Sequence, residues 1–253
     1  MLSKTICITG ATAGIGQAAA RCLAKEGYRL ILTGRRELSL TNFAKELSKE
    51  YGIDCLALSF DVRSRDEVKK AIDSLPAEWN KIDVLINNAG LAAGLSKVND
   101  ANLDDWDQMI DTNIKGLLYM TRLVSPGMVD RGEGHIINIG SIAGKEVYPN
   151  ASVYCATKHA VDALSKGMRQ DLLQYGIKVT AVHPGAVETE FALVRFKGDK
   201  QRARKVYEGF EPLHPEDIAE TILFALSRPP HVNIDDILIM PSAQANATLI
   251  RRK

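Results

Sequence analysis

The chain has few cysteines, almost no net charge and no long apolar run, and each shortage excludes a class of protein. Its four cysteines show no paired spacing, which predicts a reducing compartment with neither disulfides nor a metal site. The 32 basic and 31 acidic residues leave a net charge of +1, so nothing favours nucleic acid or an anionic membrane as a partner. No apolar run approaches the length that spans a bilayer.

Linkers and internal repeats are also missing. We expect no signal peptide, because residues 1–4 lead straight into the first apolar run. The 253 residues, 45% of them hydrophobic, suffice for a sizeable core in one large α/β domain or two small ones. The histidines show no metal-ligand spacing, and we assign none of them a catalytic role: His135, His159, His183, His214 and His231.

Apolar runs alternate with helical patterns along the whole chain, which is typical of parallel strands joined by helical crossovers. We predict seven strands, at residues 5–9, 29–33, 54–60, 84–87, 135–139, 178–182 and 237–240. Helices are predicted near residues 16–26, 37–50, 64–75, 112–130, 152–175 and 215–227. This order indicates one open, doubly wound α/β sheet covered on both faces, which binds ligands beyond the carboxyl ends of its strands.

A glycine-rich stretch follows the first predicted strand and opens the first predicted helix, the context in which such a loop binds a dinucleotide. Gly10 would permit the sharp turn, Gly14 the close approach of a pyrophosphate, and Gly16 close packing of the helix on the sheet. The spacing is wider than G-x-G-x-x-G, so a glycine turn that binds nothing is the alternative. The candidate cofactor residues of this loop are Gly10, Thr12, Ala13, Gly14, Ile15 and Gly16.

Two further strand ends carry charged candidates for the cofactor. About twenty residues beyond the glycine loop, where a carboxylate would bind the ribose of NAD, the chain has Arg35 and Arg36. Because guanidinium groups pair well with phosphate, they favour NADP, although one or both could merely begin the next helix in solvent. After the third strand, the Asp61 carboxylate could accept from an adenine amino group or cap the following helix, as Ser64 could.

Ser141 follows the fifth strand, and Tyr154 and Lys158 are four residues apart on one predicted helix, so they share a face. A tyrosine that acts as a base near pH 7 needs roughly 4 kcal/mol of stabilisation of its phenolate. One ammonium about 4 Å away supplies roughly that amount at an effective dielectric constant of about 20. Such pairs often decorate solvent-facing helices, but the preceding serine, which could fix a substrate oxygen, favours chemistry.

Other polar positions are compatible with two interpretations. The segment 87–90 could let the backbone approach a flat ligand or form an ordinary turn. Asn113 competes for backbone hydrogen bonds and could hold a water in the cleft, or it could be an N-terminal residue beside a Thr112 cap. The segment 184–189 could form one side of the nicotinamide site, with Thr189 hydrogen-bonded to the carboxamide, or it could be only a rigid turn that leaves the sheet. The basic stretch 190–210 lies where a substrate lid would sit, and Arg195 could meet a substrate carboxylate.

Together, in order and over the whole chain, these motifs resemble the short-chain dehydrogenase/reductase family. The resemblance implies a single Rossmann-type domain over residues 1–253, a nicotinamide cofactor and a catalytic set of Asn113, Ser141, Tyr154 and Lys158. By this likeness Tyr154 is the acid/base, Lys158 lowers its pKa and binds the nicotinamide ribose, and Ser141 orients the substrate. Asn113 would support a water relay to Lys158. The implied cofactor contacts are completed by Asp61, Val62, Asn88, Ala89, Gly90, Pro184, Gly185, Val187 and Thr189.

Three stretches, at residues 75–79, 109–122 and 187–199, resemble the NADP-dependent 3-hydroxy-acid dehydrogenase branch of that family. This likeness implies reversible oxidation of serine, allo-threonine or a 3-hydroxypropionate-type acid by a cytoplasmic homotetramer. Cys155 and the Lys145-Glu146 pair depart from the branch and leave the preferred hydroxy acid open. A broad carbonyl or ketone reductase is the alternative within the family, and a non-catalytic NADP-binding sensor is an alternative of another class.

Overall fold

Seven strands form one parallel sheet in a computed structural model that describes residues 4–253. In chain order they are β1 (Thr5–Thr9), β2 (Arg29–Gly34), β3 (Cys55–Ser59), β4 (Val84–Asn87), β5 (Gly134–Ile139), β6 (Ile177–Pro184) and β7 (Asp236–Ile239). The sheet order is β3-β2-β1-β4-β5-β6-β7, and all pairs are parallel. The predicted doubly wound sheet is therefore confirmed, and its strand order reverses between β1 and β4, which opens a crevice at their carboxyl ends.

The helices of the described residues cover both faces of this sheet. They are α1 (Gly14–Lys25), α2 (Glu37–Tyr51), α3 (Arg65–Asp73), α4 (Leu103–Ile110), α5 (Leu117–Arg131), α6 (Ser152–Leu172), α7 (Phe191–Arg195), α8 (Lys200–Tyr207) and α9 (Pro215–Leu226). Short 3₁₀ turns lie at Ala77–Trp79, Val98–Asp100, Ile142–Gly144 and Leu173–Tyr175. Within the range 4–253, no helix is both long and apolar enough to cross a membrane. The expected lack of a signal peptide concerns in part residues 1–3, which lie outside the described residues.

Alternating residues of the central strands feed two separate layers of core. Ile6 and Ile8 of β1 pack in the cluster that includes buried residues of α1, α2 and α9. Cys7, between them, belongs to the opposite cluster, with Met120 of α5 and Met168 of α6. Because side chains of a strand point alternately to its two faces, an unbroken apolar run is what burial on both faces requires.

The prediction that a helix begins at Thr112 is wrong. Helix α4 begins at Leu103, after Asn102 accepts a hydrogen bond from the Asp104 amide at 2.8 Å. It continues through a π-helical turn, Asp111–Gly116, directly into α5. Thr112 is therefore inside a continuous helical segment and caps nothing. The π turn is wider than an α-helical turn, so the apolar residues before it and those after it do not follow one 3.6-residue period. For this reason the sequence pattern did not reveal α4.

Candidate active site

Ser141, Tyr154 and Lys158 lie together at the carboxyl end of β5. Ser141 precedes the 3₁₀ turn Ile142–Gly144, and its hydroxyl accepts from the Ala143 amide at 3.1 Å. Tyr154 and Lys158 stand one turn apart on α6 and are only 7% and 6% exposed. The hydroxyls of Ser141 and Tyr154 are hydrogen-bonded. The three side chains thus share one buried site and do not face bulk solvent.

Lys158 is held at the strand end by its ammonium, which donates to the Ile139 carbonyl at 2.9 Å. Burial lowers its pKa from 10.5 to about 8. A Cβ added to Gly90 would lie 3.5 Å from the Lys158 Nζ and 3.3 Å from the Asn113 Oδ1. The loop after β4 therefore passes directly over the lysine, and a glycine in that loop keeps the space between them open.

The surroundings of the Tyr154 hydroxyl raise its pKa in this structure. Burial raises its pKa above the usual 10, and Tyr148 adds to the rise, while Arg195 and the hydrogen bond with Ser141 act in the opposite direction. Lys158, whose ammonium donates to the strand carbonyl, does not contribute to this shift, and its predicted lowering of the Tyr154 pKa stays a prediction. The Arg195 guanidinium carbon lies 5.0 Å from the centroid of the Tyr154 ring, which puts a cation beside the phenol.

Asn113 uses both ends of its amide inside the π turn. Its Oδ1 accepts from the Leu91 amide at 2.9 Å, and its Nδ2 donates to the Leu91 carbonyl at 2.8 Å and to the Thr157 hydroxyl at 3.0 Å. The side chain therefore ties the loop after β4 to α6, and the alternative of a plain N-terminal residue is wrong. The water relay to Lys158 stays a prediction.

The glycine turn fits a dinucleotide pyrophosphate. Gly10 and Gly14 have φ values of +67° and +52°, which L side chains rarely adopt. A Cβ on Gly16 would lie 2.4 Å from both the Asn88 Nδ2 and the Gly10 carbonyl, and Asn88 donates to that carbonyl at 3.2 Å. Helix α1 starts after Ala13 with no side-chain cap and no acidic residue in its first turn. The uncapped amides and the helix dipole are what an anion needs.

The two arginines after β2 have different surroundings. Arg36 is the residue before α2, and its guanidinium donates to the Thr12 hydroxyl at 3.0 Å and to the Thr12 carbonyl at 3.1 Å. The side chain of Arg35 is 58% exposed, with its NH1 3.8 Å from an Asp61 oxygen. Arg36 thus braces the glycine turn, while Arg35 lies at the surface within reach of an anion.

Sequence reasoning missed the partner of Asp61, which is Arg63. The Arg63 Nε and NH2 donate to the Asp61 Oδ2 at 2.9 and 2.6 Å. Burial opposes ionisation of this carboxyl, but the Arg63 hydrogen bonds outweigh it and lower the Asp61 pKa. Ser64 caps α3 by accepting from the Glu67 amide at 3.3 Å, so the capping alternative for Asp61 is wrong. Val62 packs on the π turn, where a Cβ on Gly116 would approach it to 2.9 Å.

The segment after β6 bends from the sheet toward the glycine turn. Strand β6 ends at Pro184, and the Gly185 amide donates to the last residue of β7 at 2.8 Å. Val187 forms a parallel bridge to the segment before α9. A Cβ on Gly14 would lie 3.2 Å from the Thr189 methyl carbon. Thr189 therefore stands across the turn from the start of α1, and a bond from it to a carboxamide stays a prediction.

Residues 190–210 fold into α7 and α8, and α7 lies over Tyr154. The rings of Phe191 and Tyr154 are 5.7 Å apart, and the Arg195 NH2 donates to the Tyr148 hydroxyl at 2.9 Å. The Arg195 carbonyl accepts from the Gly94 amide at 3.0 Å, which fastens α7 to the loop after β4. The Arg195 Nε is buried without a hydrogen-bond partner among residues 4–253. Sequence reasoning named Arg195 and missed Tyr148, whose ring and hydroxyl hold it.

A family model described as short chain dehydrogenase matches residues 4–199. The chain belongs to the short chain dehydrogenase family. The family identification made from the motifs is thereby confirmed, and it covers the strands and helices that carry the glycine turn, Ser141, Tyr154 and Lys158.

Relatives of known description match nearly the whole chain. An NADP-dependent 3-hydroxy acid dehydrogenase of Schizosaccharomyces pombe is 49% identical over 251 residues, which cover 99% of this chain and 97% of the relative. An NADP-dependent 3-hydroxy acid dehydrogenase of Salmonella typhi is 48% identical over 245 residues, 96% and 97% of the two chains. The closed form of a serine dehydrogenase complexed with NADP⁺ superposes with a TM-score of 0.92 at 45% identity, covering 98% of this chain and 99% of that one.

Proposed function

We propose that the protein reversibly oxidises a small 3-hydroxy acid, of the serine, allo-threonine or 3-hydroxypropionate type, to the 3-oxo acid or semialdehyde. The broader assignment, an NADP-dependent oxidoreductase that acts on CH–OH groups, follows from family membership and the described relatives and confirms that prediction. The observation that carries the choice of a hydroxy acid is the position of Arg195 on the ring of Tyr154.

In this proposal Arg195 binds the carboxylate while Tyr154 meets the hydroxyl. Its guanidinium is held by Tyr148, and its buried Nε lacks a hydrogen-bond partner in the described part of the chain. Guanidinium groups bind carboxylates through two parallel hydrogen bonds, and such charge-assisted bonds are stronger than neutral ones. In a 3-hydroxy acid, roughly 4 Å separates the hydroxyl oxygen from the carboxylate carbon by standard bond lengths. The guanidinium carbon lies 5.0 Å from the centroid of the Tyr154 ring, so one small molecule could contact both side chains.

Each side chain of the site has its own role toward the substrate. Ser141, hydrogen-bonded to Tyr154, holds the substrate oxygen beside the phenol. The Tyr154 oxygen takes the hydroxyl proton in oxidation and returns it in reduction. Arg195 lowers the pKa of Tyr154, since a cation near the phenol favours the ionised form that oxidation needs, and we expect Lys158 to add to this effect. NADP, when bound, accepts or supplies the hydride.

The residues that would hold the cofactor lie at the carboxyl edge of the sheet, around the crevice between β1 and β4 and along the ends of β2 and β3. The amides of the glycine turn would receive the pyrophosphate, and Arg35 would pair with the additional phosphate of NADP. Asp61, fixed by Arg63, would accept from the adenine amino group. Lys158 would donate a hydrogen bond to the nicotinamide ribose, through the space between its ammonium and the loop after β4 that Gly90 leaves open.

A substrate panel with a matched pair of arginine variants tests the proposal. We expect the wild-type protein to reduce NADP⁺ with 3-hydroxy acids and to act about 100-fold less well on methyl esters or diols without the carboxylate. Arg195→Met should lose about 100-fold in kcat/KM on the acids and much less on the uncharged substrates. Arg204→Met is the control, because this arginine lies exposed on the neighbouring helix α8.

Three outcomes would contradict the proposal. A wild-type preference for uncharged ketones would favour a carbonyl reductase. Equal losses on charged and uncharged substrates in Arg195→Met would show that the arginine only supports the fold around Tyr154. Binding of NADPH with no turnover across the panel would favour a sensor.

We also propose a cytoplasmic homotetramer and closure of residues 190–210 over the substrate. Exposed leucines on or beside two long helices support assembly: Leu118 of α5 is 36% exposed and Leu173, just beyond α6, is 71% exposed. Light scattering after size exclusion is expected to give the mass of four 27.7-kDa chains. A monomeric mass in the native protein would contradict the proposed assembly.

A further inference from the structure

A second group of charged side chains lies behind the active site. The Lys145 ammonium donates to the Asp162 Oδ1 at 2.7 Å and also to the Asp236 Oδ2. Asp162 follows Lys158 by one turn on the same face of α6, and Asp236 begins β7. The lysine and Asp162 side chains are only 24% and 15% exposed. This lysine bridge therefore joins the loop after β5 to a helix and to the last strand of the sheet.

His183 of β6 fills the space between the lysine bridge and the backbone of Ser141. Its side chain is fully buried, and its Nε2 lies 3.3 Å from the Asp236 Oδ2 and 3.5 Å from the Asp162 Oδ1. Its Nδ1 lies 3.3 Å from the Ser141 carbonyl oxygen. A Cβ on Gly140 would approach that nitrogen to 2.3 Å. The backbone that presents Ser141 therefore rests directly on the imidazole ring.

The charges around His183 oppose one another. Burial and Lys145 lower its pKa, while Asp236, Asp162 and the Ser141 carbonyl raise it, and the net direction is downward. The ring is therefore neutral at neutral pH, and Lys145 supplies the positive charge that the two carboxylates require. Loss of that ammonium would leave both carboxylates facing the imidazole, which would favour its protonated form.

We propose that Lys145 is a positioning residue for the reaction. By bridging Asp162 and Asp236, it holds His183 against the Gly140–Ser141 backbone and so fixes the point from which the Ser141 hydroxyl meets the substrate oxygen. This inference rests on the proposed role of Ser141. A displacement of about 1 Å at a reacting group can cost about 100-fold in rate, so a small shift of this backbone is enough to matter.

Steady-state kinetics of a matched pair of lysine variants tests this role. We expect Lys145→Met to lower kcat about tenfold or more with less than about a threefold change in KM, because orientation is lost and not affinity. Lys166→Met is the control, since Lys166 also donates to Asp162, at 2.7 Å, but is 55% exposed and contacts neither Asp236 nor His183 among the described residues. It should stay within about twofold of wild type, as expected for an exposed ion pair. Lys145→Arg, which keeps a cation for both carboxylates, should restore most of kcat.

An NMR titration of the His183 ring measures the same link without turnover. Its pKa should rise in Lys145→Met and stay close to the wild-type value in Lys166→Met. An unchanged His183 titration in Lys145→Met would overturn the proposal, and so would a kcat within about twofold of wild type. Failure of the proposed function would look different: the wild-type protein would oxidise no 3-hydroxy acid, while the shift of His183 would still be measured.

Discussion

Gly16 provides a direct test of how the glycine turn is built, because Gly167 is a matched control. Both lie inside α-helices, Gly16 in α1 and Gly167 in α6, and neither has a positive φ. Helix propensity alone favours alanine by about 1 kcal/mol at either position. The two sites differ in what a Cβ would meet. At Gly16 it would lie 2.4 Å from the Asn88 Nδ2 and the Gly10 carbonyl, and at Gly167 nothing lies within 4 Å.

The clash at Gly16 gives the size of the expected effect. A carbon atom needs roughly 3.5 Å from such neighbours, so the turn must move by about 1 Å. Overpacking of this kind costs about 1–3 kcal/mol. The Asn88 hydrogen bonds to the Thr9 and Gly10 carbonyls, at 2.8 and 3.2 Å, would weaken as well. Each is worth about 1 kcal/mol, so Gly16→Ala should destabilise the protein by about 2–3 kcal/mol after the propensity gain.

Calorimetry and NADPH fluorescence titration would measure the two consequences. For 253 residues the unfolding entropy is about 0.5 kcal/mol per degree. Gly16→Ala should therefore lower Tm by about 4–6 °C, and Gly167→Ala should raise it by about 2 °C. The displaced turn should also raise the Kd for NADPH about tenfold or more in Gly16→Ala only, because its amides no longer converge on the pyrophosphate.

The result that would refute this reasoning is a Gly16→Ala protein with the Tm and the NADPH affinity of the wild type. Such a protein would show that the turn and the Asn88 side chain absorb a methyl group freely. A lower Tm in Gly167→Ala would instead show that helix propensity does not operate at the open control position.

Three further predictions concern Tyr154, Arg35 and a pair of buried histidines. Tyr154→Phe should abolish turnover, because the proton acceptor is gone, while the NADPH affinity measured by fluorescence stays nearly intact; substantial activity would contradict this role. Arg35→Ala should raise the Kd for NADPH about tenfold and leave that for NADH unchanged, whereas equal losses would argue against a phosphate contact. Burial lowers the pKa of His135 from 6.5 to about 3 and also lowers that of His183, so the unfolded chain binds protons first as the pH falls. The contribution of these two histidines to the free energy of unfolding should be complete above pH 6.5 and should decline below it, by up to about 1.4 kcal/mol per pH unit for each. Urea unfolding at several pH values measures this decline. A free energy of unfolding that does not change with pH in this range would contradict the burial of both rings in the neutral form.

The strands and the helical pair of the site could be predicted because their signals are local. Continuous apolar runs such as residues 5–9 indicate strands buried on both faces, and the structure places β1 there. Tyr154 and Lys158 share a face because four residues make about one helical turn, whatever the rest of the chain does. The glycine turn was predictable for the same reason, since its backbone conformations depend on the residues within it.

Contacts between distant parts of the chain were decided only by the tertiary structure. The order of packing of α6, β6 and β7 brings Lys145 to Asp236, 91 residues away, and no periodicity in the sequence encodes such a pair. The π turn that points Asn113 at the loop after β4 interrupts the very pattern that would have revealed its helix. Arg195 lies on Tyr154 because α7 folds back over the sheet end, which depends on tertiary packing. The sequence by itself therefore determined the seven strands and most of the long helices, while α4, α7, α8 and the neighbours of each site residue depend on how the crossovers pack.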